Sequence, residues 1–301
     1  MSNMSKVDRL IADQAPTHSF SRYFIWTRRI PFYVLVLLFC VTTAFPVYWM
    51  TVSVIQPVEL SLQYPPPLFP QAINPNAFSK IFQVENNPDR VDVWIANSVI
   101  LASMTTIICL ILTVLGAYAL AGRRWRGQGL FGLMLLTTQM LPEALIVIPL
   151  YATIDKLHLK NSLPVLALVD TAFVLPICIW ILKNVFDTIP TEIRDAAMVD
   201  GCTQIGMLLR IMLPISAPGL VAVGVVAFFH AWNEFLFAAS LIADKKLFPA
   251  PVGLAQMISM IDTPIDKLMA AGLVFSIFPV IFYMMVQRYI VAGLSAGAVK
   301  G

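Results

Sequence analysis

Six apolar runs set the limits on what this chain can fold into, at residues 30–55, 97–120, 130–154, 163–182, 219–242 and 268–287. Each is long enough to cross the hydrocarbon core of a bilayer, which takes about 20 helical residues. In lipid every backbone N–H and C=O needs a partner within its own segment, so runs of this length predict helices. The other spanning solution, an outer-membrane barrel, needs short strands of alternating polarity, and that pattern is missing from the sequence. Composition agrees: 58% of the 301 residues are hydrophobic and 12% are charged, too little polar surface to clothe a water-soluble globule. The sequence predicts an all-α integral membrane protein with six transmembrane helices.

The ends and loops give direction. A polar, basic tail over residues 1–29 precedes the first run, which is too long for a signal-peptide core and has no small-residue cleavage site after it. It reads as a retained anchor. Six spans put both termini on one side, and that side, with the AGRRWRGQG loop and the segment 183–212, holds thirteen of the twenty lysines and arginines. The positive-inside rule makes it cytoplasmic. The predicted organisation is a cytoplasmic tail (1–29), a six-helix permease domain (30–287) with an external loop (56–96) and a cytoplasmic segment (183–212), and a cytoplasmic C-terminal tail (288–301). Seven prolines, including YPPPLFP, predict an external loop that is extended and stiff, on which an outside partner can lean. Prolines 46, 142, 149, 176 and 279 predict kinked spans. A net charge of +3 with no stripe of cations and aromatics argues against a nucleic-acid partner, so membrane lipid is the expected surroundings. Cys40, Cys109, Cys178 and Cys202 have neither disulfide nor zinc spacing, and no metal site is expected.

One stretch is out of character. TEIRDAAMVDG, residues 191–201, places four charged residues beside small ones in the segment 183–212. It predicts a short helix capped by Thr191, with Glu192 and Asp195 in its opening turn and Gly201 in the left-handed position that ends it. Thr203 is positioned to cap a second helix ending at Pro214, with Ile205, Leu208, Leu209 and Met212 on one face. About ten residues make a marginal helix in water, so the first must dock. Ala196 and Ala197 form a smooth flank and Ile193 an apolar knob, suited to a groove on another protein; the inner membrane surface is the competing seat, poorly matched to an acidic face.

This segment resembles the EAA signature of permease subunits of ABC importers. Asp195, Ala196 and Ala197 stand at the E-A-A positions, Gly201 follows after three residues, and Ile211, Leu213 and Pro214 match the I-x-LP after nine more. Aspartate in place of glutamate keeps the charge with one methylene less. The ending QRYIVAGLSAGAVKG, together with AWNEFLFA and NSVILA, is similar to the maltose-transporter type of the carbohydrate-uptake group. The resemblance implies the type I ABC importer fold, with a cytoplasmic coupling helix carrying Glu192, Asp195, Ala196, Ala197 and Gly201. It also implies the partners: two ATPase subunits, a second homologous permease, an extracytoplasmic solute-binding protein and a carbohydrate substrate, in a bacterial or archaeal plasma membrane. ATP and magnesium would belong to the partner ATPase, in keeping with the lack of a GxxxxGK[ST] loop in this chain.

Ionisable groups within spans are expensive and invite a functional reading. Trp232, Asn233 and Glu234 combine an aromatic face with polar groups suited to sugar hydroxyls, or else bond helix to helix. Glu143 and Tyr151 are further residues for a substrate path, with Gln139 and Asn97 of the same kind. Asp170 reads as reaching toward the interface and His230 as a structural hydrogen-bonder. The alternative function is a proton-coupled secondary transporter using Glu143 and Glu234, which would leave the 191–201 block without a role. An intramembrane enzyme finds no support: HExxH is absent, and GLSAG in the tail lacks the strand and following histidine of a nucleophile elbow.

Overall fold

A computed structural model describes residues 19–74, 76–82, 90–121, 125–258 and 263–298, with side chains from Arg29 to Tyr289. The helices are α1 Ser19–Ile55, α2 Val58–Ser61, α3 Asn76–Phe82, α4 Val91–Leu120, α5 Gln128–Thr138, α6 Glu143–Lys156 and α7 Leu163–Asp187. They continue as α8 Thr191–Val199, α9 Gln204–Ile215, α10 Ala217–Trp232, α11 Leu236–Leu241, α12 Ala250–Gln256 and α13 Ile265–Ala298. No strand occurs among the described residues.

The chain divides into two units that meet in sequence between Val52 and Ser53. Within the first, the part of α1 from Ile30 onward is apolar, and Leu35, Leu38 and Phe39 are all more than 60% exposed. In the second, α4, α7 and α10 pack together as the interior. Lipid gives no hydrophobic drive for helices to associate, so close backbone approach between small residues does that work. Ala102, Ala117, Ala167, Ala227 and Ala231 are accordingly buried at 0–1% exposure. One buried cluster surrounds Trp94, Leu101, Leu166, Trp232 and Phe237; another, toward α8, surrounds Cys178, Leu182, Phe186, Met207 and Met212.

Four helical stretches are long and apolar enough to span singly: Arg29–Ile55, Val91–Leu120, Leu163–Asp187 and Ile265–Tyr289. The count reaches six when two bent pairs are each taken as one span, α5 with α6 at 93° and α9 with α10 at 82°. The run expected at 130–154 is thus an elbow, because Pro142 has no N–H and disfavours helix in the residue before it. The run expected at 219–242 is interrupted between Trp232 and Leu236. Several limits also move outward from the apolar runs: α4 starts at Val91, α7 continues to Asp187, and α13 runs into the expected tail as far as Ala298. Residues 1–18, 122–124 and 299–301, which belong to the predicted tails and the AGRRWRGQG loop, lie outside the described residues.

At the end of the bundle away from α8, polar residues of α4 hold the connection before α12. Trp94 Nε1 donates to the Lys245 carbonyl at 3.0 Å, and Asn97 Nδ2 donates to those of Lys246 and Phe248 at 2.9 and 3.1 Å. The amide of Ala250 donates to Ser98 Oγ at 2.8 Å. Asn97 therefore braces a loop and does not line a path.

Candidate functional site

The segment 191–201 forms α8, with a different start from the one expected. Pro190 is the N-cap and Thr191, the first helical residue, makes no side-chain cap bond. Proline, with φ near −65° and no N–H, needs no partner at the helix entrance. The end follows the expected chemistry. Gly201 has φ +82°, its amide donates to the Met198 carbonyl at 3.1 Å, and the Cys202 amide donates to the Ala197 carbonyl at 3.0 Å. Those two bonds are the Schellman pattern. Thr203 then caps α9, its Oγ1 accepting from the Gly206 amide at 3.1 Å.

Ala197 is 4% exposed and packs in the same cluster as Phe186, Ile189 and Met207, so it seats α8 on its own chain. The surface is supplied by Glu192, Ile193, Asp195, Ala196 and Val199, the last 87% exposed. Neither acid has an ion-pair partner among the described residues. Thr191, Arg194, Asp195 and Met198 line a pocket of about 600 Å³ together with Tyr118, Trp125 and Gln204. The sequence reading missed this pocket, which joins residues far apart in the chain.

The expected apolar face of α9 is redistributed. Leu208 and Met212 are buried as predicted, but Met207 joins them, while Ile205 and Leu209 are 70% and 56% exposed. A π-helical turn over Leu208–Met212 shifts the side-chain register. The helix continues past Pro214 to Ile215 before bending into α10.

Within the apolar region two interruptions come together, because α11 packs on α6. At the first, α10 stops at Trp232, and Glu234 spans the gap: its Oε1 accepts from the amides of Phe237 at 2.6 Å and Ala238 at 3.1 Å, at the start of α11. Glu234 is 5% exposed, so it is the cap that makes the break tolerable and offers little surface to a ligand. Trp232 is likewise turned inward. It is 1% exposed and stacks on Phe275 at 4.9 Å and on Phe228 at 5.6 Å, which leaves no ring face free for a sugar. Asn233 is exposed at the break, its Nδ2 donating to the Phe229 carbonyl at 2.8 Å.

At the second interruption, Glu143 is half-buried in the first turn of α6, and Gln139 Nε2 donates to the Phe173 carbonyl of α7 at 2.9 Å, in the turn before Pro176. Two other groups depart from expectation. Asp170 is 0% exposed, and its carboxyl faces that of Glu234 in place of the interface. His230 stands within electrostatic reach of Glu143, and its buried Nε2 has no hydrogen-bond partner among the described residues. The fold thus gathers Glu143, Asp170, His230 and Glu234. Tyr151 is apart from them, its hydroxyl accepting from Lys160 Nζ at 3.2 Å.

The capping role makes a prediction. Glu234→Leu removes the acceptor and leaves the buried amides of Phe237 and Ala238 without a partner, so it is expected to lower stability by about 2 kcal/mol, measured as thermal unfolding in detergent. An unchanged unfolding temperature would remove the cap from the account.

The comparisons with known proteins agree with this architecture. A family model described as the binding-protein-dependent transport system inner membrane component matches residues 112–296. The chain is 34% identical over 273 residues to an inner membrane ABC transporter permease protein of Escherichia coli K12, covering 91% of this chain and 97% of that protein. It is 35% identical over 209 residues to a trehalose/maltose transport system permease protein of Thermococcus litoralis, covering 69% and 74%. In three dimensions it resembles a chain of a bacterial ABC transporter that imports the acidic polysaccharide alginate, with TM-score 0.75, 20% identity, and 96% and 99% of the two chains covered. That last likeness concerns the fold alone. Spans, a short surface helix ended by a left-handed glycine, and the match over more than half the chain lead to one conclusion: this chain belongs to the binding-protein-dependent transport family and is a membrane-spanning permease component of an ABC transporter.

Proposed function

We propose that this chain and a second, homologous permease carry a sugar, oligosaccharide or polyol glycoside inward across a bacterial or archaeal plasma membrane. An extracytoplasmic solute-binding protein delivers the substrate, and two copies of a separate ATPase, holding ATP and magnesium, drive the cycle. In this reading both termini and α8 are cytoplasmic. The observation that carries it is α8 itself, a nine-residue helix held to its own chain by Ala197, with Glu192, Ile193, Asp195, Ala196 and Val199 turned outward and unpaired. A helix so short and so exposed calls for a protein groove. The trehalose/maltose relative supports the carbohydrate class.

The covalent path suggests how closure of the ATPase pair reaches the membrane. Gly201 joins α8 rigidly to α9, the 82° bend at Ser216 joins α9 to α10, and α10 ends at the break before Glu234. A displacement of α8 is thus delivered close to the paired interruptions of α5/α6 and α10/α11. There Asn233 and half-buried Glu143 offer an amide and a carboxylate to hydroxyl groups, with Tyr151 farther along the path. Irregular backbone at membrane depth is tolerated where it is enclosed by protein or lines a water-filled cavity, which suits a pathway.

The test is reconstitution of the complete transporter in vesicles, with its solute-binding protein outside, labelled disaccharides, and ATP trapped inside. Uptake is expected to need ATP and the ATPase. Equal uptake without the ATPase under an imposed proton gradient would overturn the proposal.

A further inference from the structure

The stretch LQYPPPLFPQAIN, residues 62–74, contains no charged side chain, yet Tyr64 is 98%, Phe69 75%, Ile73 80% and Leu68 58% exposed. The neighbouring connections at the same end of the bundle differ: 157–162 includes His158 and Lys160, and 243–247 includes Asp244, Lys245 and Lys246. Single exposed apolar residues need no explanation, but a neutral run of them does.

The far end of this stretch is fixed beside the end of α1. The chain reaches the stretch from Ile55 through the single turn of α2, which carries the exposed acid Glu59, and the Asn74 amide returns to donate to the Ile55 carbonyl at 2.6 Å. The stretch Arg29–Ile55 has 27 residues, or about 40 Å of helix at about 1.5 Å per residue. A bilayer is about 30 Å across its hydrocarbon and about 40–45 Å with its headgroups, so a helix upright across it with Arg29 among the headgroups of one face has Ile55 among those of the other. The excursion is therefore continuous with the membrane boundary. Its backbone suits a place where water is scarce, since prolines 65, 66, 67 and 70 have no N–H to satisfy. Tyrosine, apolar in its ring and polar at its tip, is enriched at that depth.

We propose that residues 62–74 form an interfacial anchor, with Tyr64, Leu68, Phe69 and Ile73 inserted among the headgroups and upper acyl chains of the leaflet away from α8. The partner is lipid, and the proposal rests on the membrane-spanning fold without depending on the transported substrate or the ATPase. Anchoring would fix the end of α1 against the bilayer while α10 moves.

The test places p-benzoylphenylalanine at position 69, and separately at 73, in the whole transporter in host membranes, followed by irradiation and mass spectrometry of the chain. Adducts with phospholipid are expected to dominate. Adducts mainly with a solute-binding protein or a second permease, or recovery of the chain without adducts as for a loop in water, would overturn the proposal. ATP-dependent uptake by the same membranes confirms that the labelled transporter is assembled. As a second measurement, Phe69→Trp in nanodiscs is expected to add emission that loses most of its intensity with lipids brominated near the headgroup and less with lipids brominated deep in the chain. Added emission untouched by either lipid would also overturn it.

Discussion

Gly253→Ala is expected to destabilise the protein by about 3 kcal/mol, at the upper end of the usual range for overpacking. A Cβ at this position of α12 would lie 2.2 Å from both Cδ2 and Cε3 of Trp94 and 2.8 Å from Cε2. The indole has little room to retreat. It is 1% exposed, embedded in the largest buried cluster, and its Nε1 is bonded to the Lys245 carbonyl at 3.0 Å, so sliding the ring away exchanges a steric clash for an unsatisfied buried donor. Nor is α12 free to withdraw, because the Ala250 amide is bonded to Ser98 Oγ. Thermal unfolding of the detergent-solubilised protein measures the effect. Trp94→Leu in the same chain opens space beside the new methyl, so the double variant should lose less than the sum of the single losses. An alanine variant that unfolds at the wild-type temperature would refute this account of the contact between α12 and α4.

Gly201→Val is expected to leave the chain folded and inserted while ATP-dependent uptake falls roughly 30-fold. At φ +82° nothing lies within 4 Å of where a Cβ would stand, so the penalty comes from the backbone angle and not from crowding. A left-handed conformation costs an L-residue about 1–2 kcal/mol, and β-branching puts valine at the upper end. About 2 kcal/mol against the docked geometry of α8 and α9 corresponds to that factor in population. Asparagine tolerates this conformation better than other non-glycine residues, so Gly201→Asn should restore most of the uptake. The check is uptake and ATP turnover in reconstituted vesicles at matched permease content. Valine and asparagine variants equal to each other would separate the effect from the backbone angle.

These two glycines show where sequence reading succeeds and where it stops. Gly201 was legible because its role is local: a short polar helix ends, the chain turns sharply, and the left-handed angle excludes most other residues. Spans, their number and the family resemblance were legible for a similar reason, since about 20 apolar residues in lipid have a helix as almost their only spanning solution. Gly253 was invisible, because its neighbour Trp94 is more than 150 residues away in the chain. The same holds for Trp232 and Glu234. As residue types, an indole and a carboxylate beside an asparagine suit a sugar. Only the packing of α10 against α13 and the start of α11 turned the ring inward and gave the carboxylate to two backbone amides. Asp170 read as reaching for the interface until the fold placed it against Glu234.

By itself the sequence determined an all-helical membrane protein with six apolar runs and a short surface helix ended by a left-handed glycine, because hydropathy, helix length and the glycine's backbone angle act within a few turns of chain. The tertiary structure alone decided that two of those runs are bent or broken, that Ala197 is buried and seats α8 on its own chain, and which polar groups cap helices and which stay exposed. Those outcomes depend on which distant helix fills the space beside each side chain, and the free energy of that choice is shared among residues that no local pattern links.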